Sequence, residues 1–328
     1  MHRARAFFFV CAGLMCFAGA LRPAVANAQP PSYLTQWGTY GTGPGQFRNP
    51  CSIALSGDRV YVADAGNHRI QVFTSSGVYL SQWGSLGEGP GMFDLPMGVA
   101  VGGGGDVYVA DSYNNRVQVF SNIGTYVTQW GTQGSGPGQF RTPYDLAVDG
   151  SGLVFVTDYY NNRVQVFSTS GTYLIQWGSF GTGDGQFRYP EGVATSSDGR
   201  VYVADSNNNR IQVFSTSGTY LAQWGADGNR NGQFSWAYGV AVDGSGDVYV
   251  ADHGNNRIQV FTSDGAYLRQ WGSYGSGPGQ FYAPWGVAVD GNGTVFVAEN
   301  ANHRIQVFGS APSPTTATSW GRIKALYR

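Results

Sequence analysis

An arginine recurs every 47 residues through most of this chain: Arg69, Arg116, Arg163, Arg210, Arg257 and Arg304. Each of the first five closes an Asp-x-x-Asn-x-Arg frame, from Asp64/Asn67 to Asp252/Asn255. The sixth frame, Glu299/Asn302, has Glu in place of Asp. A fixed period of this length is the signature of a repeat architecture. Residues common to all repeats are then read as scaffold, and residues that break the pattern as candidates for function.

The second repeat gives the unit. Residues 98–101 and 107–110 read as short strands joined by a glycine turn. Residues 111–115 turn into a third strand at 116–120, and 121–124 into a fourth at 125–130. A long glycine-rich connection, 131–143, leads to the next unit, and no segment keeps a helical apolar period. The 50 glycines and 15 % aromatics fit many short strands and tight turns. Six such units without helices predict an all-β, six-bladed β-propeller of four-stranded antiparallel blades.

The ends of the chain predict closure. The last unit stops at Arg304-Ile-Gln-Val-Phe308 and lacks a fourth strand, whereas Tyr33-Leu-Thr-Gln-Trp-Gly38 precedes the first unit and matches the fourth strand elsewhere. The N-terminal strand therefore completes the last blade, which removes two open sheet edges.

Trp37, Trp83, Trp130, Trp177, Trp224 and Trp271 are assigned to inter-blade packing. The column Ala54, Ala100, Ala147, Ala194, Ala241 and Ala288 is assigned to the crowded axis. The Asp/Asn/Arg frame is read as structural, because Asn suits the turn and Asp and Arg can pair across it. The glycine-rich connection precedes no helix, which excludes a phosphate-binding loop.

Residues 1–28 read as a secretory signal peptide: Arg3 and Arg5 precede an apolar run, and Ala26-Asn27-Ala28 fits a cleavage site. The expected destination is secretion, the cell surface or the periplasm, with no membrane span after cleavage. Removing Arg3, Arg5 and Arg22 from 19 basic residues leaves 16 against 20 acidic ones. That balance, with Lys324 as the sole lysine, argues against a nucleic-acid partner. Cys51 alone would remain after cleavage, so no internal disulfide is available. The propeller is expected over residues 32–309 as a monomer, followed by a Pro/Ser/Thr linker at 310–318. Residues 319–328 form a basic tail, read either as a sorting tag or as a disordered end.

The repeats resemble the NHL family. Its unit runs Phe-x-x-Pro-x-Gly-Val-Ala-Val, Val-Tyr-Val-Ala-Asp, Asn-His-Arg-Ile-Gln-Val-Phe. This chain has Phe281-Tyr-Ala-Pro284-Trp-Gly-Val-Ala-Val289 and Val60-Tyr-Val-Ala-Asp64-Ala-Gly-Asn-His-Arg-Ile-Gln-Val-Phe73. The resemblance implies a six-bladed propeller that binds partners, whether protein or RNA, or that serves as an extracellular sensor or surface domain. Some related propellers are metal-dependent lyases or lactonases.

Positions that differ between repeats predict the site. Inter-blade connections and second-to-third-strand turns should emerge on one face, where loops on a rigid scaffold carry function. The residue after proline reads Cys51, Met97, Tyr144, Glu191 and Trp285, with Tyr238 at the same place after Ala237, which replaces the proline. The residue after the connection's phenylalanine reads Arg48, Asp94, Arg141, Arg188, Ser235 and Tyr282. Tyr113, Tyr160 and Trp236 lie beside them. Arg141, Tyr144, Asp145, Arg188 and Glu191 make a charged half. Trp236, Tyr238, Tyr282 and Trp285 make an aromatic half. Such a face suits a peptide, a protein loop or a glycan.

Asp145 breaks a column otherwise filled by Ser52 and glycines. It is expected to pair with Arg141 or Arg188, or else to share a cation with Glu191. No cofactor and no catalytic set are assigned. The rival readings are a metal-dependent lyase or hydrolase at the channel mouth, with His68 and His303 sharing a metal, and a purely structural surface repeat.

Overall fold

The computed structural model describes residues 29–310, so the expected signal peptide and basic tail lie outside the described residues. Six separate four-stranded antiparallel sheets form the blades. Blade three is representative. Its strands Pro143–Val148, Leu153–Asp158, Arg163–Ser168 and Tyr173–Trp177 run in order from the axis outward.

Both middle strands of a blade are buried along nearly their whole length, because each blade is packed between two neighbours. Such strands need apolar residues on both faces, which is why Val-Phe-Val and Val-Gln-Val-Phe runs replace simple alternation. The outermost strand has one free face and alternates half-buried with exposed positions.

The ring closes as the ends of the chain predict. Ser32–Trp37 pairs antiparallel with Arg304–Gly309, from Ser32 opposite Gly309 to Trp37 opposite Ile305. The sheet is completed by Val295–Glu299 and Pro284–Val289.

The tryptophans do link blades. Trp37 of blade six lies 5.8 Å from the Phe73 ring of blade one. It also covers the blade-one hairpin at Gly77, where φ is +88° and a Cβ would come within 2.6 Å of the indole. Only glycine meets both demands. At the axis, all six columnar alanines line a channel of about 240 Å³.

One local detail departs from the sequence reading. The second-to-third-strand turn contains a single 3₁₀ turn in three blades, Ala65–Asn67, Tyr159–Asn161 and Ser206–Asn208. The residue after it is left-handed in every blade: His68, Asn115, Asn162, Asn209, Asn256 and His303, with φ between 53° and 55°. Asparagine tolerates that conformation best among non-glycine residues.

Candidate functional site

The arginine frame builds the floor of the site. In blade one, Arg69 Nε donates to Asp64 Oδ2 at 2.7 Å, and Asn67 Nδ2 donates to the same oxygen at 2.9 Å. The guanidinium also donates to the carbonyls of Thr42, Gly43 and Gln46 at 2.7 to 2.9 Å. A buried ion pair is tolerable only when its remaining donors are satisfied, and here the glycine-rich connection satisfies them. The ladder thus pins each connection to its blade. Gln71 adds to the same anchor, donating to the Gln46 carbonyl at 2.7 Å and accepting from the Gly45 N–H at 2.9 Å.

Connections and second-to-third-strand turns meet on one face. Backbone N–H groups of Tyr113, Tyr160 and Asn207 donate to the carbonyls of Asp94, Arg141 and Arg188. The residues singled out from the sequence then divide by depth. Arg48, Arg141, Arg188, Tyr113, Tyr160, Trp236 and Tyr282 are exposed on the outer part of the face. Met97, Tyr144, Glu191, Tyr238 and Trp285, with Cys51, supply one residue per blade to the channel mouth.

The division into a charged and an aromatic half does not hold at that mouth. Tyr144 of blade three and Trp285 of blade six come from opposite blades and stack across the axis, with centroids 6.3 Å apart and planes at 13°. Tyr238 leans on Trp285 at 4.7 Å. His253, from the second-to-third-strand turn of blade five, stacks on Tyr238 at 4.2 Å. Burial holds its imidazole neutral, with a pKa lowered to about 4.

Asp145 pairs with neither Arg141 nor Arg188, contrary to the expectation. Both arginines point outward, and Arg188 lies over the Phe180 ring at 5.3 Å. Asp145 instead accepts from the Ser52 hydroxyl at 3.4 Å and the Val193 N–H at 3.2 Å. These neutral donors do not offset desolvation, and burial raises its pKa to about 7.

Glu191 is 3 % exposed, and its Oε2 has no hydrogen-bond partner among the described residues. Burial first, then the neighbouring Asp145 charge, pushes its carboxyl well above the usual range, against a smaller opposing effect of the Tyr144 hydroxyl. Thr157, an exception in a column of alanines that the sequence reading passed over, ties the two acidic residues together. Its hydroxyl donates to the Glu191 carbonyl at 2.6 Å and accepts from the Asp145 N–H at 3.0 Å.

The other candidates have structural work. Cys51 is buried, its thiol reaches the Asn49 carbonyl at 3.3 Å, and burial pushes its pKa up, which is the reverse of an activated nucleophile. His68 and His303 each accept a backbone N–H of the next blade at Nδ1, from Leu95 at 3.1 Å and Asn49 at 3.2 Å. Asn115 does the same through Oδ1 for Thr142. Among the described residues, no three His, Cys, Asp or Glu side chains stand close enough to share a metal ion.

A second column was missed. Tyr40, Leu86, Phe180 and Tyr274 are 60 to 67 % exposed at equivalent places in four connections. Tyr40 lies under Arg48 at 5.8 Å, and Tyr274 meets Tyr282 at 5.1 Å. The sequence signal was present as the third residue after each strand-closing tryptophan, which changes between repeats while the glycines at the first and fourth places do not.

The fold and this site together define a closed β-propeller with an axial pocket framed by a variable face. The chain belongs to the NHL-repeat family, whose pattern matches residues 47–73, 93–120, 140–167, 187–214, 234–261 and 281–308. Comparison with curated proteins gives no match. Several solved structures share the fold. A protein of unknown function from Bacteroides thetaiotaomicron is 19 % identical, with a TM-score of 0.65, over 87 % of this chain and 76 % of that one. A gluconolactonase from Xanthomonas campestris is 15 % identical, with a TM-score of 0.62, over 88 % and 99 %. A streptogramin B lyase is 15 % identical, with a TM-score of 0.59, over 84 % and 96 %. At these identities the likeness is one of fold.

Proposed function

We propose that this chain is an exported, non-enzymatic binding propeller that recognises a protein, peptide or glycan on its connection face. The observation that carries the reading is the outer rim. Tyr40, Phe180 and Tyr274 stand exposed there, beside Arg48, Arg188 and Tyr282. Arg48 and Arg188 lie over aromatic rings and form no ion pair among the described residues, which leaves their donors free for a partner. Exposed aromatics and arginines on a rigid frame lose little conformational entropy on binding and are favoured hot-spot types.

The test is an array of glycans and peptides probed with the full propeller and with a Phe180→Ala/Arg188→Ala variant. Saturable binding that the variant loses supports the reading. Binding that is equal in both contradicts it.

A second reading, lyase or hydrolase chemistry at the channel mouth, draws on the paired carboxyl groups of Asp145 and Glu191. It predicts turnover of a lactone or ester panel that Glu191→Gln abolishes, with rim variants unaffected.

A further inference from the structure

The six residues at the channel mouth are Cys51, Met97, Tyr144, Glu191, Tyr238 and Trp285. This ring holds one carboxyl group among three aromatic rings and two sulfur-bearing side chains. Glu191 lines the channel, and its Oε2 is buried without a partner. Elsewhere in the repeats, buried carboxylates are matched by arginine, as Asp158 is by Arg163 at 2.8 Å. Glu191 has no such cation among the described residues, although an unpaired buried carboxyl group is costly. Four polar exceptions to the repeat gather here, Ser52, Asp145, Thr157 and Glu191. Thr157 fixes the backbones of two of them.

We propose that this mouth binds an alkylammonium group, with Glu191 as its counter-charge and Tyr144, Tyr238 and Trp285 as its walls. Aromatic faces attract cations through their quadrupoles, most strongly where water is excluded. Below the mouth the channel is lined by alanine and valine side chains, which suit an alkyl chain. A divalent metal ion would need several oxygen ligands. Both Asp145 oxygens already accept hydrogen bonds, from Ser52 and Val193, which leaves Glu191 as the carboxyl group at the mouth with an unpartnered buried oxygen.

Burial and the neighbouring Asp145 raise the Glu191 carboxyl well above the usual range. The titratable groups around it are Asp145, Tyr144, Tyr159, Tyr238 and Cys51. An ammonium ion favours the carboxylate, so its binding is coupled to proton loss from Glu191 and weakens as the pH falls. This inference goes beyond the rim reading and does not depend on it.

The experiment is titration calorimetry of the propeller with n-butylammonium chloride and with Nα-acetyl-lysine methylamide, with 1-butanol as the neutral control. It is repeated in buffers of different ionisation enthalpy. Saturable binding of either amine with proton release supports the proposal, and the tighter of the two identifies the source as a free amine or a lysine side chain. Glu191→Gln, isosteric with the protonated acid, is expected to fold and to weaken binding by at least about tenfold. Trp285→Leu is expected to weaken it as well, and Val127→Ala, exposed on an outermost strand, to leave it unchanged. No saturable heat at about pH 8, equal binding by Glu191→Gln, or equal binding of 1-butanol would each overturn it.

Discussion

The Trp285 indole and the Tyr144 phenol lie nearly parallel across the propeller axis, with planes 13° apart and centroids 6.3 Å apart. They belong to blades at opposite sides of the ring, so only a closed ring brings them together. Trp285 is half-buried, in contrast to Trp271, which is buried between blades six and five and lies 5.6 Å from the Phe308 ring.

That difference predicts unequal costs. Trp285→Ala should lose about 1 kcal/mol, the usual worth of an aromatic pair with modest burial. Trp271→Ala should lose about 3–5 kcal/mol by opening a core cavity. Urea unfolding of both variants checks the ranking, and equal losses would mean that the mouth aromatics are part of the core.

The arginine ladder should be the most sensitive polar element. Arg163→Ala leaves Asp158, which is fully buried, without its partner and frees the connection carbonyls of Ser135, Gly136 and Gln139. A loss of about 3–5 kcal/mol is expected from breaking a buried pair on one side. Arg188→Ala, on the exposed rim, should stay within about 0.5 kcal/mol of the wild type. Denaturant midpoints measured at one slope compare the two directly.

Asp145 should give the protein an unusual dependence on pH. Its folded pKa, about 7, lies above the value of an unfolded aspartate. The folded state therefore holds the extra proton. The stability this contributes is fully present below the unfolded pKa and is lost as the pH rises through about 7. Glu191 acts in the same direction. His253 acts in the opposite sense below neutrality, so the comparison must be with Asp145→Asn. Between about pH 5 and 8, wild-type stability should fall more steeply than that of the variant. Parallel curves would contradict the environment described for Asp145.

His303 offers a substitution test of role. Its Nδ1 accepts the Asn49 N–H, as Asn256 Oδ1 accepts the Ala283 N–H in the preceding blade. His303→Asn should therefore be close to neutral, and His303→Ala should cost about 1 kcal/mol for a lost bond. Thermal unfolding of the pair decides between this role and one in metal binding, for which asparagine would not substitute.

What was legible in the sequence follows from what repetition can carry. The 47-residue spacing of Arg69 to Arg304 set the blade count. Tyr33 to Gly38 betrayed the closing strand, because it copies a motif seen five more times. Contacts between exceptions were not legible. Asp145 finds Ser52, 93 residues earlier, and Val193, 48 residues later, and no local pattern announces either. The expectation of an arginine partner rested on the cost of an unpaired carboxylate on a face shared with Arg141 and Arg188, whereas both arginines are exposed. Tyr40 and Phe180 were overlooked because they sit inside a connection whose regularity was taken as structural throughout.

The most direct test of the face as a binding surface is capture from an extracellular extract by immobilised propeller. The wild type is compared with a Tyr40→Ala/Phe180→Ala/Arg188→Ala/Tyr274→Ala variant of matched thermal stability. These four side chains are exposed, so the fold should tolerate their loss. A partner retained by the wild type and lost by the variant is the predicted result. Equal retention by both proteins would contradict the assignment of function to this face.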